Sequence, residues 1–377
     1  MTIEDDATSA NYFEVDLGAI AHNSAEVRRL AGDQTRIFAA VKANAYGFGV
    51  GEVADVVLAS GADALALVEV SDAVELRRRG IRQPILLYSG SLASRHVVRA
   101  CDDYGLMPTL ADWTGSAAYS SLASRPVKAF VKVDVGLERN GVAPEEAVEF
   151  IKRIRRLPRI EIEGVYTHFH VPPELESSEY IDWQFQRLMS VLRALRAEGI
   201  DVPVQMAASS SVLRMTRDMM LNAIDPGHAL YGLTAPGRDE VHLELRPAFG
   251  KLGTRLTQVK EFRRAEFAER LPFEAAGVTR IGVVPFGQAH GMAGLNCGRV
   301  LVHGRRVEIL GSPHVEHTRL DLTAVPDASV GDEVVIIGCQ GAAEIQPREV
   351  MVHQGMDRDM RLALEVRESV PRIYRAA

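Results

Sequence analysis

Eight short apolar runs recur between residues 36 and 233, and each is followed by a segment whose apolar residues have helical spacing. The runs are Arg36–Lys42, Ala64–Val68, Pro84–Tyr88, Leu106–Leu110, Val127–Val135, Gly164–Phe169, Val204–Ala208 and Ala223–Leu230. Most are continuously apolar instead of alternating, which is typical of strands covered on both faces. Eight strand–helix alternations over about 200 residues predict a closed (β/α)8 barrel of the TIM type. A doubly wound open sheet is the alternative, but the sequence lacks the glycine-rich first turn of dinucleotide-binding sheets.

After about Arg246 the pattern changes to strand-like segments separated by turn residues, with no long helical pattern between them. These segments are Val300–Val302, Arg306–Leu310, Arg319–Leu322 and Glu333–Ile337. We therefore predict a barrel over residues 13–245 and a C-terminal all-β domain over 246–377. Residues 1–12 form an N-terminal segment that could add a strand to the β domain.

Composition limits the partners and the cellular location that we expect. The formal net charge of the 377-residue chain is −7 and the sequence contains no block of basic residues, so we expect neither nucleic acid nor a membrane as partner. Its three cysteines, Cys101, Cys297 and Cys339, are far apart, which argues against a disulfide framework and a zinc cluster. The first residues are acidic and polar, unlike a secretory signal. These features predict a cytoplasmic protein.

Lys42 is the first candidate for chemistry, because it ends the first apolar run. Active sites of (β/α)8 barrels lie at the carboxyl ends of the strands. Partial desolvation there lowers the pKa of a lysine and leaves the free amine that an imine requires. The alternative is a lysine that extends its amine into solvent.

The segment that contains this lysine, VKANAYGFG, resembles the lysine motif of the alanine racemase family, the pyridoxal-phosphate enzymes of fold type III. The resemblance continues in order through KVDVGLERNG, GVYTHFH, PGHALYG, GVVPFGQAHG, RRVEILG, VGDEVVIIG and VPRIY. It implies a (β/α)8 barrel, pyridoxal 5'-phosphate as cofactor, an amino acid as the small-molecule substrate and a homodimer. It also implies that each active site is shared between one barrel and the β domain of the partner subunit.

The family resemblance assigns roles around the cofactor ring. Lys42 would form the Schiff base with the cofactor, Arg139 would approach its phenolic oxygen and His168 would stand by the pyridine ring. Lys132 matches a lysine that is carbamylated in many family members.

The resemblance also assigns the residues that would hold the cofactor phosphate. Tyr46 would contact it, and Ser210 would cradle it together with backbone amides near Gly227 and His228. Hydroxyl and backbone N–H groups suit a phosphate because they donate hydrogen bonds without needing a charge.

The sequence departs from the family at Asp225, where the family carries an arginine that points at the pyridine nitrogen. A carboxylate beside that nitrogen favours its protonated form, since an opposite charge close by raises the pKa of the nitrogen. A protonated ring is the stronger electron sink. We therefore expect a quinonoid stabilised by Asp225.

A second departure removes the tyrosine that serves as the other base in the family, because Gln288 stands in its place and an amide cannot titrate. His290 is a possible substitute. Further along the sequence, the family's substrate-end motif is replaced by a segment that contains His314, Glu316 and His317. They could act as a base for a substrate hydroxyl or bind a divalent metal through His314 and Glu316, or they could be surface polar residues.

Together the departures favour bond cleavage at the α-carbon over racemisation. Aldol or retro-aldol chemistry on a β-hydroxy-α-amino acid, similar to that of D-threonine aldolase, fits an electron sink supported by Asp225 and a histidine base. The partners would then be an amino acid and an aldehyde. The second hypothesis is a racemase of alanine or another amino acid in which a histidine replaces the tyrosine. A decarboxylase comes third, and a cofactor-carrying protein without turnover is less favoured.

Overall fold

The computed structural model describes residues 9–88, 92–171, 179–233, 241–262, 273–274, 277–356 and 360–376. Contacts group the chain into two compact units. One unit is Gly18–Arg246, and the other is Met1–Leu17 together with Pro247–Ala377.

The first unit is a closed barrel of eight parallel strands, β2 to β9, in sequence order. The strands are β2 (Arg36–Ala40), β3 (Ala64–Leu67), β4 (Ile85–Leu87), β5 (Met107–Leu110), β6 (Val127–Lys132), β7 (Ile160–Tyr166), β8 (Val204–Ala208) and β9 (Ala223–Ile224). The barrel closes where Arg36 and Ile37 of β2 pair with Ala223 and Ile224 of β9. Seven of the eight predicted runs contain one of these strands, and the run Gly164–Phe169 overlaps the end of β7, so the (β/α)8 barrel is confirmed.

Helices connect the barrel strands. They are α1 (Leu17–Ala31), which precedes β2, the short segment α2 (Lys42–Tyr46), whose interior backbone is left-handed, and α3 (Val50–Ala59), α4 (Val70–Arg78), α5 (Arg95–Tyr104), α6 (Trp113–Leu122), α7 (Pro144–Ile154), α8 (Glu179–Ala197) and α9 (Ser210–Met215). Local chemistry explains several helix starts. The Asp112 side chain accepts the Gly115 N–H before α6, and α7 begins with a proline followed by two glutamates.

The barrel interior is a packed apolar core. Its central cluster consists of Phe38, Ala64, Ala66, Leu86, Met107, Phe130, Tyr166, Val204, Met206 and Ala223, all buried. Gly164 of β7 lies against the ring of Phe130, where a β-carbon would collide with that ring. The interior is therefore filled by side chains, which leaves the strand ends as the place for chemistry.

The second unit is built on β-sheets. Its strands are β1 (Tyr12–Asp16), β10 (Phe249–Arg255), β11 (Gln258–Glu261), β12 (Arg280–Val284), β13 (Arg299–Val302), β14 (Arg305–Glu308), β15 (Thr318–Asp321), β16 (Glu333–Gln340), β17 (Ala343–Ile345) and β18 (Arg372–Arg375). The larger sheet has the order β14-β13-β16-β10-β1-β18, and β17 pairs with β16. The smaller sheet has the order β11-β12-β15.

The predicted C-terminal β domain is confirmed, and it includes two short helices that the sequence pattern did not predict, α10 (Pro347–Gln354) and α11 (Met360–Glu365). Helices of six to eight residues present too few turns for a periodic apolar pattern to stand out. Within the described residues, no helix has the length and apolar character needed to cross a membrane.

Candidate active site

Lys42 stands at the start of a strained turn directly after strand β2 and Val41. The next four residues, from Ala43 to Tyr46, all have left-handed backbone conformations, with φ between 52° and 55°. None is a glycine, and such a conformation costs roughly 1–2 kcal/mol per residue. The Asn44 carboxamide oxygen accepts the Val50 N–H at 2.8 Å, which helps to hold the turn. Strain of this kind is found at functional sites, and the lysine motif did not reveal it.

The amine of Lys42 lies among aromatic rings, with its Nζ 5.6 Å from the centre of the Tyr88 ring and 5.9 Å from that of Tyr46. Burial lowers the pKa of Lys42, the positive charge of Arg139 lowers it further, and the negative charge of Asp225 opposes both. A larger fraction of the amine is therefore unprotonated than in a solvated lysine, which is what imine formation requires.

Burial lowers the pKa of two further basic groups of the barrel mouth. Lys132, at the end of β6, is buried, and its burial lowers its pKa to about 8. Burial lowers the pKa of His168 to about 3, and the positive charges of Lys42, Arg139 and Lys132 act in the same direction. His168 is thus a neutral imidazole at physiological pH, suited to packing against an aromatic ring.

The turn that carries Arg139 is organised by Asp134. Its carboxylate accepts the backbone N–H groups of Gly136 at 3.1 Å, Leu137 at 2.9 Å, Glu138 at 3.1 Å and Arg139 at 2.7 Å. Burial by itself would raise the pKa of Asp134, but these four hydrogen bonds lower it below its ordinary value. Asp134 stays ionised and fixes the backbone of Arg139, a role that the sequence alone did not reveal.

Helix α8 fixes both segments that carry predicted site residues. The fully buried Gln184 accepts the His170 N–H at 2.8 Å and donates to the His170 carbonyl at 2.9 Å. The Tyr180 hydroxyl donates to the Gly136 carbonyl at 2.8 Å. One helix therefore anchors the segment that follows His168 and the turn before Arg139.

The residues predicted to hold the phosphate lie together. The Ser210 hydroxyl oxygen accepts the N–H groups of Gly227 at 2.8 Å and Ala229 at 3.1 Å. A β-carbon on Gly227 would stand 2.6 Å from the Tyr46 hydroxyl, so only glycine allows this approach. The His228 ring lies 5.6 Å from the Tyr46 ring. Hydroxyl groups around a closely approached backbone form a cradle of the kind that holds phosphate.

Asp225 follows β9 and is only 5% exposed. The Tyr88 hydroxyl donates to its Oδ2 at 2.9 Å, whereas its Oδ1 has no hydrogen-bond partner among the described residues. Burial raises the pKa of Asp225 to about 7, although the bond from Tyr88 and the charges of Lys42 and Lys132 oppose the rise. Sequence reasoning missed Tyr88 as a site residue, because its position at the end of a barrel strand was the only available signal.

The β-rich unit brings the other predicted residues into one region. The amides of Gln288 and Ala289 donate to the carbonyls of His314 at 2.9 Å and Val315 at 2.8 Å. Burial lowers the pKa of His290, while Glu316 raises it and His317 lowers it by their charges. The side chains of His314, Glu316 and His317 are exposed.

The predicted metal site gains no support from this region. In the part of the chain that the structure describes, no three His, Cys, Asp or Glu side chains are placed to hold a metal ion. The proposed ligand pair of His314 and Glu316 stays a prediction.

The barrel residues fit pyridoxal phosphate. They offer a desolvated amine for its aldehyde, a buried carboxylate oxygen with no hydrogen-bond partner in the described part of the chain, and a hydroxyl-lined cradle for its phosphate. A (β/α)8 barrel with this set of groups at its mouth has the features of a lysine-dependent pyridoxal-phosphate enzyme.

Comparison with known proteins identifies the family. Residues 15–235 match the family model described as alanine racemase, N-terminal domain, and residues 251–374 match alanine racemase, C-terminal domain. An alanine racemase of Methanococcus maripaludis is 34% identical over 370 residues, covering 96% of this chain and 97% of that protein. One from Desulfosudis oleivorans is 35% identical over 353 residues, covering 89% and 90%. The chain belongs to the alanine racemase family.

Solved structures agree with this family. An alanine racemase from Bacillus anthracis with bound L-Ala-P has a TM-score of 0.86 at 27% identity, covering 98% of this chain and 96% of that one. An alanine racemase from E. faecalis has a TM-score of 0.83 at 28% identity and covers both chains completely. The family implies pyridoxal phosphate as cofactor and an amino acid as the small-molecule substrate.

The aldolase hypothesis, with its aldehyde partner and its quinonoid stabilised by Asp225, is wrong. Relatives that match nearly the whole chain at 34% and 32% identity are alanine racemases, which supports the racemase alternative. The hypothesis needed a permanent negative charge on Asp225. Burial raises the pKa of Asp225 to about 7 and thereby favours its neutral form, which weakens the case for a permanent charge there.

Proposed function

We propose that this protein is an amino-acid racemase and that alanine is its substrate. The observation that carries the proposal is the desolvated Lys42 amine on its strained turn at the barrel mouth. The relatives named alanine racemase support the choice of substrate, because they match this chain over nearly its whole length.

Lys42 has two roles in this proposal: it holds the cofactor, and as a free amine it moves the proton at the α-carbon on one face of the substrate. Pyridoxal phosphate, when bound, supplies an aldehyde and an electron-withdrawing ring that acidify that proton. Arg139 and Lys132 contribute hydrogen-bond donors at the same mouth. Neutral His168 provides a flat apolar face without adding a charge.

Tyr46 and Ser210, with the backbone at Gly227 and His228, would hold the cofactor phosphate. Ser210 already accepts two backbone N–H groups, so its own hydroxyl proton can be donated to a phosphate oxygen. Asp225 would accept a hydrogen bond through Oδ1, which has no partner among the residues that the structure describes.

The group that serves the opposite face of the substrate is a separate question. The Nδ1 of His290 accepts the Gly287 N–H at 3.1 Å, so its neutral ring carries the proton on Nε2 and has no free lone pair for proton abstraction. This bond weighs against His290. Of the exposed histidines we propose His317, because it lies near enough to His290 for its charge to act on that ring. Loss of the second base should lower racemisation by about 10²–10⁴-fold.

The experiment is to incubate the cofactor-loaded enzyme with L-alanine in heavy water and to follow D-alanine by chiral chromatography and deuterium by mass spectrometry. We expect both enantiomers to form, with deuterium at the α-carbon. Release of acetaldehyde from D-threonine without interconversion of the alanine enantiomers would contradict the proposal.

The same assay tests the second group. His317→Ala should exchange deuterium into one alanine enantiomer only, whereas His290→Ala should keep most of the racemisation rate. The opposite result would assign the role to His290.

The homodimer implied by the family resemblance is proposed as well, and sedimentation of the loaded enzyme tests it.

A further inference from the structure

The pairing of Tyr88 with Asp225 is the feature of the barrel mouth that the proposed function does not use. The two residues are 137 positions apart in the chain, and their side chains meet through one hydrogen bond of 2.9 Å. Asp225 is only 5% exposed, so bulk water does not solvate the oxygens of its carboxylate. A buried carboxylate needs hydrogen-bond donors, and in the described residues only Oδ2 has one.

We propose that Tyr88 is a positioning residue for Asp225. Its hydroxyl fixes Oδ2, which holds the carboxylate in one orientation and leaves Oδ1 as the acceptor for a proton-bearing group of the bound cofactor. The inference rests on the proposed cofactor site, but it is independent of which reaction the enzyme catalyses.

The surroundings of Asp225 explain why one neutral donor matters. The ionisable groups that act on it come from three strand ends and the strained turn: Lys42 after β2, Tyr46 in the turn, Tyr88 after β4 and Lys132 at the end of β6. Lys42 and Lys132 favour the ionised carboxylate, as does the bond from Tyr88, whereas burial opposes it. Both lysines have lowered pKa values, so they lose their positive charges at a lower pH than solvated lysines do. The pKa of the Tyr88 phenol is raised, so the phenol stays protonated and continues to donate its hydrogen bond.

A simple packing role for Tyr88 makes a different prediction. The Tyr88 ring packs against the barrel core and lies 6.0 Å from the centre of the Tyr166 ring. Phenylalanine would keep those contacts and lose only the hydroxyl. The variant Tyr88→Phe therefore separates the two roles, since packing does not depend on pH and the hydrogen bond to an ionisable carboxylate does.

The test is a pH titration of the visible absorbance of the loaded enzyme for wild type, Tyr88→Phe, Asp225→Asn and the double variant. The wild-type absorbance should show a transition near neutral pH. We expect Tyr88→Phe to raise the midpoint of this transition by about one to two pH units, which is the shift equivalent to one hydrogen bond to a charged group. Asp225→Asn should abolish the transition with either residue at position 88. Tyr104→Phe at the end of α5 is the matched control and should titrate like wild type.

A second measurement, the unfolding free energy of the cofactor-free chain, does not require cofactor binding. In the full chain without cofactor, the loss of unfolding free energy caused by Tyr88→Phe should grow as pH rises through neutrality, and this growth should vanish in the Asp225→Asn background. A midpoint for Tyr88→Phe equal to that of wild type, or a transition that persists in Asp225→Asn, would overturn the inference. If the titrations give the expected shifts but the enzyme does not racemise alanine, the proposed function is overturned and the inference about Tyr88 is not.

Discussion

The barrel mouth and the histidine-bearing segments of the β-rich unit both contain ionisable side chains, but these differ in their burial. At the barrel mouth, Asp225 and Lys132 are buried, and their pKa values are moved to about 7 and about 8. In the β-rich unit, His314, Glu316 and His317 are exposed. The difference teaches that residue type alone does not identify a catalytic centre, because desolvation is what prepares an amine or a carboxyl group for proton transfer.

The largest effect should come from Lys42. Replacing it with alanine removes the amine that we propose holds the cofactor, so we expect racemisation to fall by at least about 10³-fold and the bound-cofactor absorbance of the imine to disappear. The control is Lys128→Ala, because Lys128 is 60% exposed and paired with Glu163 at the beginning of β6. That variant should stay within about twofold of wild type, as expected for an exposed ion pair. Equal losses in both variants would contradict the contrast between buried and exposed groups.

Asp225 should make stability depend on pH. Its folded-state pKa of about 7 lies above the ordinary value of 3.8, so between these values the folded protein holds a proton that the unfolded chain has lost. Its contribution to stability is therefore greatest at low pH and declines as pH rises towards and through 7. Relative to Asp225→Asn, the cofactor-free wild type should lose roughly 3–4 kcal/mol of unfolding free energy between acidic and mildly alkaline pH. Urea denaturation at several pH values measures this, and parallel curves for the two proteins would show that the carboxyl group is not desolvated.

Gly227→Ala should destabilise the phosphate cradle by about 1–3 kcal/mol, the usual cost of overpacking. The added β-carbon would stand 2.6 Å from the Tyr46 hydroxyl. A double-mutant cycle with Tyr46→Phe sharpens the test, because removal of the hydroxyl should recover part of the loss. Thermal denaturation and cofactor titration are the measurements, and additive effects of the two substitutions would argue against direct contact.

The smallest effect should come from His314→Ala. The side chain is exposed, so the unfolding free energy should change by less than about 0.5 kcal/mol. A larger loss in chemical denaturation would mean that this segment is more tightly packed than its exposure indicates.

The strands of the barrel could be predicted because burial on both faces requires continuous apolar runs, and β3 and β8 show this directly in their fully or almost fully buried residues. The helices α10 and α11 could not, because they are too short to show a helical period. Among the site residues, Lys42 and Tyr46 lie only four positions apart, so a single sequence motif contains both and predicts both. Tyr88 was missed, because no local pattern relates it to Asp225.

Local chemistry is enough to account for the barrel class, the family and the choice of Lys42 as the proposed reactive lysine, since continuous apolar strands and neighbouring motif residues act over short distances along the chain. Closure of the barrel decided the rest. It brings Tyr88 within 2.9 Å of Asp225 and packs Gly227 against Tyr46, and it buries the amines whose pKa values fall as a result. The left-handed turn from Ala43 to Tyr46 belongs with these features, because its strain persists only while the surrounding fold compensates for it.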